Sequence, residues 1–554
     1  CLLARYRILP SRHRRISNQM HIILMVLNYT NISNDSMDRT RRTPYTRIAT
    51  IVLFIILTGI GLAFSVYLFY SVHSFYMYLI AASFTILTIV SGFFNISTSY
   101  FYYRSYLYDA YIGNINKQLR PLSGLPTVAI AMPVYNEDPA LVEKNMARLK
   151  EMDYPKEKMK FYILDDSTDR LINSRLSEFS RKSGIRYLHR ADRKGFKAGA
   201  LNNMMKVSRE QFLAIFDYDE YLSDTRFLLE TLPYFQDDRL SYVQTEKKYS
   251  KGTFFSDTID LFDAFFFKFI QPARALNNTA IFAGSCGIIR SSYLRKIGGF
   301  PEYIIEDTFF SFESDSKGYK SLYLPKVFAL GKPINTFTEL VQQQWRYNYG
   351  DNQFLGYLLR RFKSSNNKRK FSGLSYVDYM THGFGLNYIS VVLLMFTVVS
   401  VLIVFSQFAI SNIPITSIFT SSDLNFYLEL LGVSAFSLSV LTPVVLTKIH
   451  FKSVKKGFMI FILNFALVFI RAKAALSAMF SKNYKSLWDG NQSRKPTGKF
   501  LYAVRNSIFE IIFSISLFVF SGLALWIDNL SGGLWLLWYG ILYVSTFYMF
   551  YRYG

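Results

Sequence analysis

Three pairs of apolar runs bracket a long polar middle. Residues 48–72 and 75–101 come first, 384–410 and 426–446 follow the middle, and 506–527 and 534–551 close the chain. Each run is about twenty residues, the length of helix that crosses a bilayer's hydrocarbon core. Each pair therefore reads as a membrane hairpin: hairpin 1 in 37–104, hairpin 2 in 380–450, hairpin 3 in 505–554. Six spans leave both ends and the middle on one side. Arg39, Arg41, Arg42 and Arg47 precede the first run, and Lys448, Lys452, Lys455 and Lys456 follow the fourth. By the positive-inside rule that side is the cytoplasm, which gives a multi-pass protein of the cell membrane. Segment 457–480 is apolar enough to span, but Lys455 and Lys456 precede it and Arg471, Lys473, Lys482 and Lys485 lie in or after it. It reads as a re-entrant or interfacial helix, with a cytoplasmic loop running to residue 500. Residues 1–36 are basic and aperiodic, and are expected to be an extension ahead of a native start at Met37 or Met20.

The net charge of +24 gathers beside these runs, and no nucleic-acid motif accompanies it. Membrane lipids are the expected partner, and nucleic acid is not. Two cysteines, Cys1 and Cys286, exclude a disulfide framework and a cysteine-based zinc site.

The middle, 120–370, has the composition of a water-soluble domain. "PTVAIAMPVY", "MKFYILDD", "IRYLHR" and "QFLAIFDYD" read as strands. "DPALVEKNMARLKEM" and "KAGALNNMMKVS" have helical spacing. Alternating strands and helices predict a parallel α/β sheet, which binds ligands at the carboxyl ends of its strands. Asp165, Asp166, Asp217 and Asp219 fall at those ends. On an extended chain Asp217 and Asp219 point the same way. Such a pair suits a hard cation, Mg²⁺ or Mn²⁺, completed by phosphate oxygens and water. Read alone, "DYDEYLSD" is more simply an acidic loop that caps a helix, since D-x-D recurs often by chance.

Six segments in order resemble the family 2 glycosyltransferases, in particular the membrane-integrated cellulose, chitin and hyaluronan synthases. They are "AMPVYNED", "LDDSTD", "RKGFKAGALN", "DYD", "GSCGIIR" and "IIEDTFFSF". The resemblance covers about 126–350 and implies a GT-A (Rossmann-like) catalytic domain. It implies a nucleotide-sugar site formed by Pro133, Tyr135, Glu137, Asp165, Asp166, Arg193, Lys197 and Asp217, with a metal on Asp217 and Asp219. Asp165 and Asp166 would receive base and ribose, and Arg193 and Lys197 would face the diphosphate. Without the family, "DDSTD" is also a helix N-cap and "RKGFK" a solvated basic loop. The resemblance makes Asp307, with Glu306 beside it, the general base of an inverting transfer, where the plain reading is an acidic helix start. Gly284, Ser285 and Cys286 would form the acceptor-side loop.

The family's Q-x-x-R-W signature appears in "LVQQQWRYNYGDNQ" as Gln343, Arg346 and Tyr347, with Tyr replacing Trp. The aromatic stretch 254–274 is similar to the family's interfacial helix, and equally a buried core helix. "SLWDGNQSRKPTGK" resembles a gating loop in position. The implied activity is a hexosyltransferase that passes a sugar from a UDP-sugar to a growing polysaccharide, coupled to export. The alternatives are a non-processive transfer to a lipid-linked acceptor and, from another class, a transporter or channel with a degenerate transferase domain.

Overall fold

The computed structural model describes residues 44–70, 75–120, 124–363, 373–409, 441–480, 498–527 and 530–554. The chain forms two compact units that divide after Val52. Of the first, only the opening turns of helix α1 (Pro44–Tyr70) are described. The architecture below is that of the second. The expected extension 1–36 and the gating-loop segment up to residue 497 lie outside the described residues.

Eight strands form one sheet in the order β3-β2-β1-β4-β7-β6-β8-β5. They are β1 (Val128–Val134), β2 (Met159–Asp165), β3 (Arg186–His189), β4 (Phe212–Ile215), β5 (Tyr221–Leu222), β6 (Leu240–Tyr249), β7 (Gly287–Arg290) and β8 (Lys320–Gly331). The four strands read from the sequence are parallel, as the alternating pattern predicts. The sheet as a whole is mixed, which corrects the all-parallel expectation: β7 runs antiparallel to β4 and β6. It starts at the ligand edge, straight after the "GSC" loop, and leads away from it, so no crossover helix is needed.

Val128, Ile130 and Met132 of β1 pack on one face with Val142, Met146 and Leu149 of α3 (Pro139–Leu149). Ala129 and Ala131 pack on the other with Ala198, Leu201 and Met204 of α5 (Phe196–Val207). Burial on both faces explains why these strands are continuous apolar runs. Asp138 caps α3 by accepting from Ala140 N at 3.0 Å. Asp169 caps α4 (Arg170–Ser183) by accepting from Leu171 N at 2.8 Å. The N-cap reading of "LDDSTD" therefore holds for its last aspartate, and Asp165 and Asp166 are left for other work.

Helix α2 (Phe75–Gln118) has 44 residues. At about 1.5 Å per residue it is roughly 66 Å long, twice a bilayer's hydrocarbon thickness. Its far end carries Tyr108 and Ile112 into the core of the sheet domain, where the Tyr108 hydroxyl donates to the Tyr323 carbonyl. The aromatic stretch forms α6 (Phe254–Phe265), a π-helical turn and a short helix, Gln271–Ala275. The remaining long helices are α7 (Glu306–Ser316), α8 (Phe337–Lys363), α9 (Gly373–Ala409), α10 (Val454–Ala466), α11 (Val468–Phe480), α12 (Ile508–Trp526) and α13 (Leu530–Tyr553). Phe255 and Ile259 of α6 pack with Phe337 and Leu340 of α8, Met459 and Leu463 of α10 and Phe550 of α13. That face of the aromatic stretch is covered by protein.

Among the described residues, two helices are long and apolar enough to cross a membrane, Ile508–Trp526 and Gly532–Tyr553. The pair α10 and α11, bent by 42°, makes a third if it counts as one span. Six spans are thus not reproduced. The apolar stretches of α1 and α9, Ile51–Tyr67 and Ser390–Leu402, are too short, and α2 buries Asn95, Thr98 and Ser99 against protein. Most of the second arm of hairpin 2 lies outside the described residues. The bend near Leu467 falls inside the segment expected to be re-entrant.

Candidate active site

The sequence-predicted residues collect at the carboxyl ends of β1, β2 and β4. At the end of β1, past Pro133, the Tyr135 ring lies under the Arg193 guanidinium, 3.3 Å from centroid to Cζ. Glu137 sits against Tyr218, and burial pushes its carboxyl up. Asp165 is fully buried and already engaged: it accepts from Ser167 N at 2.8 Å and from Tyr187 Oη at 2.6 Å. Asp166 takes a two-pronged bond from Arg190, whose Nε is 2.7 Å away. Arg190 also donates to the carbonyls of Lys194 and Phe196, at 2.9 and 3.0 Å. One guanidinium thus ties the "RKGFK" turn to the end of β2. A Cβ on Gly199 would come within 2.1 Å of the Lys194 carbonyl oxygen, so this turn closes only over a glycine. Of the two basic residues expected to face the diphosphate, Arg193 covers Tyr135 and Lys197 points to Asp217.

Asp217 and Asp219 do not lie on an extended chain. Strand β4 ends at Ile215, and Asp217–Glu220 form a turn closed by Glu220 N to Asp217 O at 3.1 Å. The alternation argument therefore fails, because the strand stops two residues early. The positive partners of Asp217 are lysines. Lys197 Nζ is 2.5 Å from Oδ1 and Lys247 Nζ is 3.5 Å from Oδ2. Burial works against the charged form, yet the two ammonium groups outweigh it and hold the Asp217 carboxyl well below its usual range. Asp219 behaves in the opposite way: burial, then Asp217 and Glu220, push it up to about 6. Glu220 is nearly fully buried and joins three segments. It accepts from Asp217 N at 2.8 Å, from Ser285 Oγ at 2.7 Å and from Lys247 Nζ at 3.1 Å.

The "GSC" loop closes the site from the β7 side. Gly284 has φ +81°, and a Cβ there would lie 3.1 Å from Asp307 Oδ2 and 3.6 Å from Lys197 Nζ. Glycine is needed for both reasons. Ser285 joins the Glu220–Lys247 network, and Cys286 is buried beside it, its thiol bonded to Glu220. Glu306 and Asp307 form the first turn of α7. Asp307 Oδ1 accepts from Thr308 N at 2.8 Å. Burial pushes both carboxyls up; the neighbouring Asp307 charge raises Glu306 further, while Lys197 and Arg346 oppose the shift in each. Arg346 on α8 faces Glu306 and Asp217. Tyr347 beside it is 40% exposed. Trp345 is buried against Tyr349 and Ala474, so Tyr347 is the aromatic residue on the open side. Gln343 reaches Tyr249 Oη at 3.4 Å, which in turn bonds Asp263.

At its other end α7 carries Asp315, buried near Asp378 of α9 and Arg274 of the aromatic segment. Arg274 Nε is 3.4 Å from Asp378 Oδ2, to which the Thr279 hydroxyl also bonds.

Sequence reasoning missed Arg190, Glu220 and Lys247. Glu220 had a signal, its place directly after "DYD". Lys247 sits in "TEKKY", which reads as a solvated charge run until β6 is known to run in the same direction as β4.

A divalent cation fits Asp219 better than Asp217. The donor is a hard oxygen, it is half-buried, and after burial the neighbouring Asp217 and Glu220 charges raise it, so a cation there would offset that repulsion. No group of three His, Cys, Asp or Glu side chains able to hold a metal exists among the described residues, so other ligands would have to come from substrate oxygens and water.

The family profile "Glycosyl transferase family 2" matches residues 129–298, and "Glycosyl transferase family group 2" matches 214–470. The cellulose synthase catalytic subunit [UDP-forming] of Pseudomonas fluorescens (strain SBW25) is 31% identical over 246 residues, which is 42% of this chain and 33% of that protein. Cellulose synthase 2 of Novacetimonas hansenii is 28% identical over 250 residues, 42% of this chain and 15% of that one. The chain thus spans a third or less of these relatives. Among solved structures it is similar to the mannosyltransferase PcManGT from Pyrobaculum calidifontis, in complex with GDP-Man and Mn²⁺, at 16% identity and a TM-score of 0.49 over 73% of this chain and 100% of that one. The mixed α/β sheet with its ligand edge, the two family profiles and the cellulose synthase relatives agree: the chain is a glycosyltransferase that carries a family 2 catalytic domain over residues 129–298.

Proposed function

We propose that the chain transfers a sugar, with inversion, from a UDP-sugar to a growing polysaccharide, from a cytoplasmic catalytic domain held at the membrane. The observation that carries this reading is the meeting of Lys197, Asp217, Gly284 and Asp307 at one sheet edge. Lys197 Nζ lies 2.5 Å from Asp217 Oδ1, and a Cβ on Gly284 would be 3.6 Å from Lys197 Nζ and 3.1 Å from Asp307 Oδ2. The UDP-forming relative supports the choice of donor.

In this reading Tyr135 and Arg193 bound the nucleotide side, with Asp166 and Glu137 beside them. Lys197 and Arg346 face the diphosphate. The acceptor hydroxyl attacks the anomeric carbon, the bond from that carbon to the diphosphate oxygen breaks, and the hydroxyl proton passes to Asp307. Gly284 leaves room for the acceptor against Asp307, and exposed Tyr347 offers it an aromatic face. A divalent ion held on Asp219, when bound, supplies positive charge against the leaving diphosphate. The transporter alternative has no support beside the transferase family.

The test is a screen of nucleotide-sugars on the purified chain, with nucleotide release and product size both measured. A UDP-sugar is expected to yield a long polymer. One sugar added to a lipid assigns the non-processive alternative. Failure of every nucleotide-sugar to release nucleotide overturns the reading.

A further inference from the structure

Lys247 is a charged group at this site that the transfer step above does not use. It stands near the end of β6, its backbone fixed by pairing with β8 on one side. Its Nζ lies 2.5 Å from Ser285 Oγ, 3.1 Å from Glu220 Oε1 and 3.5 Å from Asp217 Oδ2. An ammonium has three donors. Two make short contacts that join the Asp217–Glu220 turn to the "GSC" loop. The third reaches Asp217 at a distance longer than a good hydrogen bond. Asp217 would not be left unpaired if that contact were withdrawn, because Lys197 holds its other oxygen. So the third donor can be lent to an incoming anion at little cost.

The charge balance asks for such a donor. Asp217, Asp219, Glu220, Glu306 and Asp307 stand against Lys197, Lys247 and Arg346. A diphosphate entering this acidic surround needs cations that are already in place. A lysine anchored in a sheet costs no reorganisation when the ligand arrives.

We propose that Lys247 is a second fixed cation for the donor's diphosphate, shifting its third N–H from Asp217 to a phosphate oxygen, so that nucleoside diphosphate binding persists without a divalent ion. This rests on the donor reading given above. It assigns the divalent ion at Asp219 to turnover and not to capture of the nucleotide.

The test is calorimetric titration of the full chain in detergent with UDP, GDP and the matching monophosphates, in EDTA and in Mn²⁺. The unaltered chain is expected to bind one diphosphate in EDTA. Lys247→Met, of similar length and without charge, is expected to weaken that binding by about tenfold or more, the scale of a charge-assisted hydrogen bond. It should leave the monophosphate within about twofold, and Lys247→Arg should restore most of the loss. Three results overturn the inference: binding of the diphosphate by the unaltered chain only with Mn²⁺, undiminished binding by Lys247→Met in EDTA, or an equal loss for monophosphate and diphosphate. The first two leave the donor reading standing. Failure of the unaltered chain to bind either diphosphate in either condition removes the donor reading, and the inference with it.

Discussion

Glu306 is buried, its neighbour Asp307 is half-buried, and both carboxyls are raised, Glu306 to about 7. A base must be ionised to accept a proton, so kcat/KM should be full above these raised values and lost as pH falls through them. Glu306→Gln removes the carboxyl that burial and then the Asp307 charge raise to about 7. The acid limb of the profile should then move to lower pH, and rate measurements from pH 5 to 9 on both proteins check this. An unmoved limb would assign the proton elsewhere. At this scale the carboxylates were legible, since acids at strand ends are rare enough to notice. Lys247 was not, because a lysine between Glu246 and Lys248 carries no mark of which face it takes. Arg193 was legible as basic, but not its place over the Tyr135 ring, which only the fold brings beneath it.

Helix α7 has a catalytic end and a structural end. Asp315 is pushed up to about 8 by burial and then by Asp378, with Arg274 pulling the other way. A carboxyl raised in the fold takes up a proton there that it would release in the unfolded chain. Its contribution to stability is full below the ordinary carboxylate range and is lost as pH rises towards 8. Asp315→Asn mimics the protonated form and removes that dependence. The thermal midpoint of the variant should gain on the unaltered chain between pH 5 and 8, by up to about 1.4 kcal/mol of stability per pH unit. Parallel midpoints would show that Asp315 is not held neutral. The elements themselves were readable where one period ruled, as in β1 to β4 and α3. The strands β6 to β8 were not, for β6 passes from buried "LSYVQT" to charged "EKK" within one strand, and β8 carries Pro325. Tertiary pairing, not local pattern, makes them strands.

For the molecule as a whole, the proposed orientation predicts that cysteines placed at Lys363 and Lys452 resist an impermeant maleimide from outside intact cells and react in inverted vesicles. External reaction at Lys452 would reverse the orientation of the helices that follow. Apolar length was a fair guide to which segments are helical; among the described residues it picks out Ile508–Trp526 and Gly532–Tyr553 as long and apolar enough to cross a membrane. Helix α2 also bears on how this protein can be handled. The sequence drew the border of the catalytic domain at residue 120, yet Tyr108 and Ile112 already belong to its core. A chain trimmed to 120–370 would leave a groove lined by Tyr323 and open to water. It should aggregate on expression, whereas one beginning near residue 100 keeps the missing wedge and should stay monodisperse by size-exclusion chromatography to a higher temperature. The catalytic fold is thus not a module that can be cut free of the helix before it: the end of α2 is an organ of the catalyst, and the two would have to be inherited, swapped or engineered together.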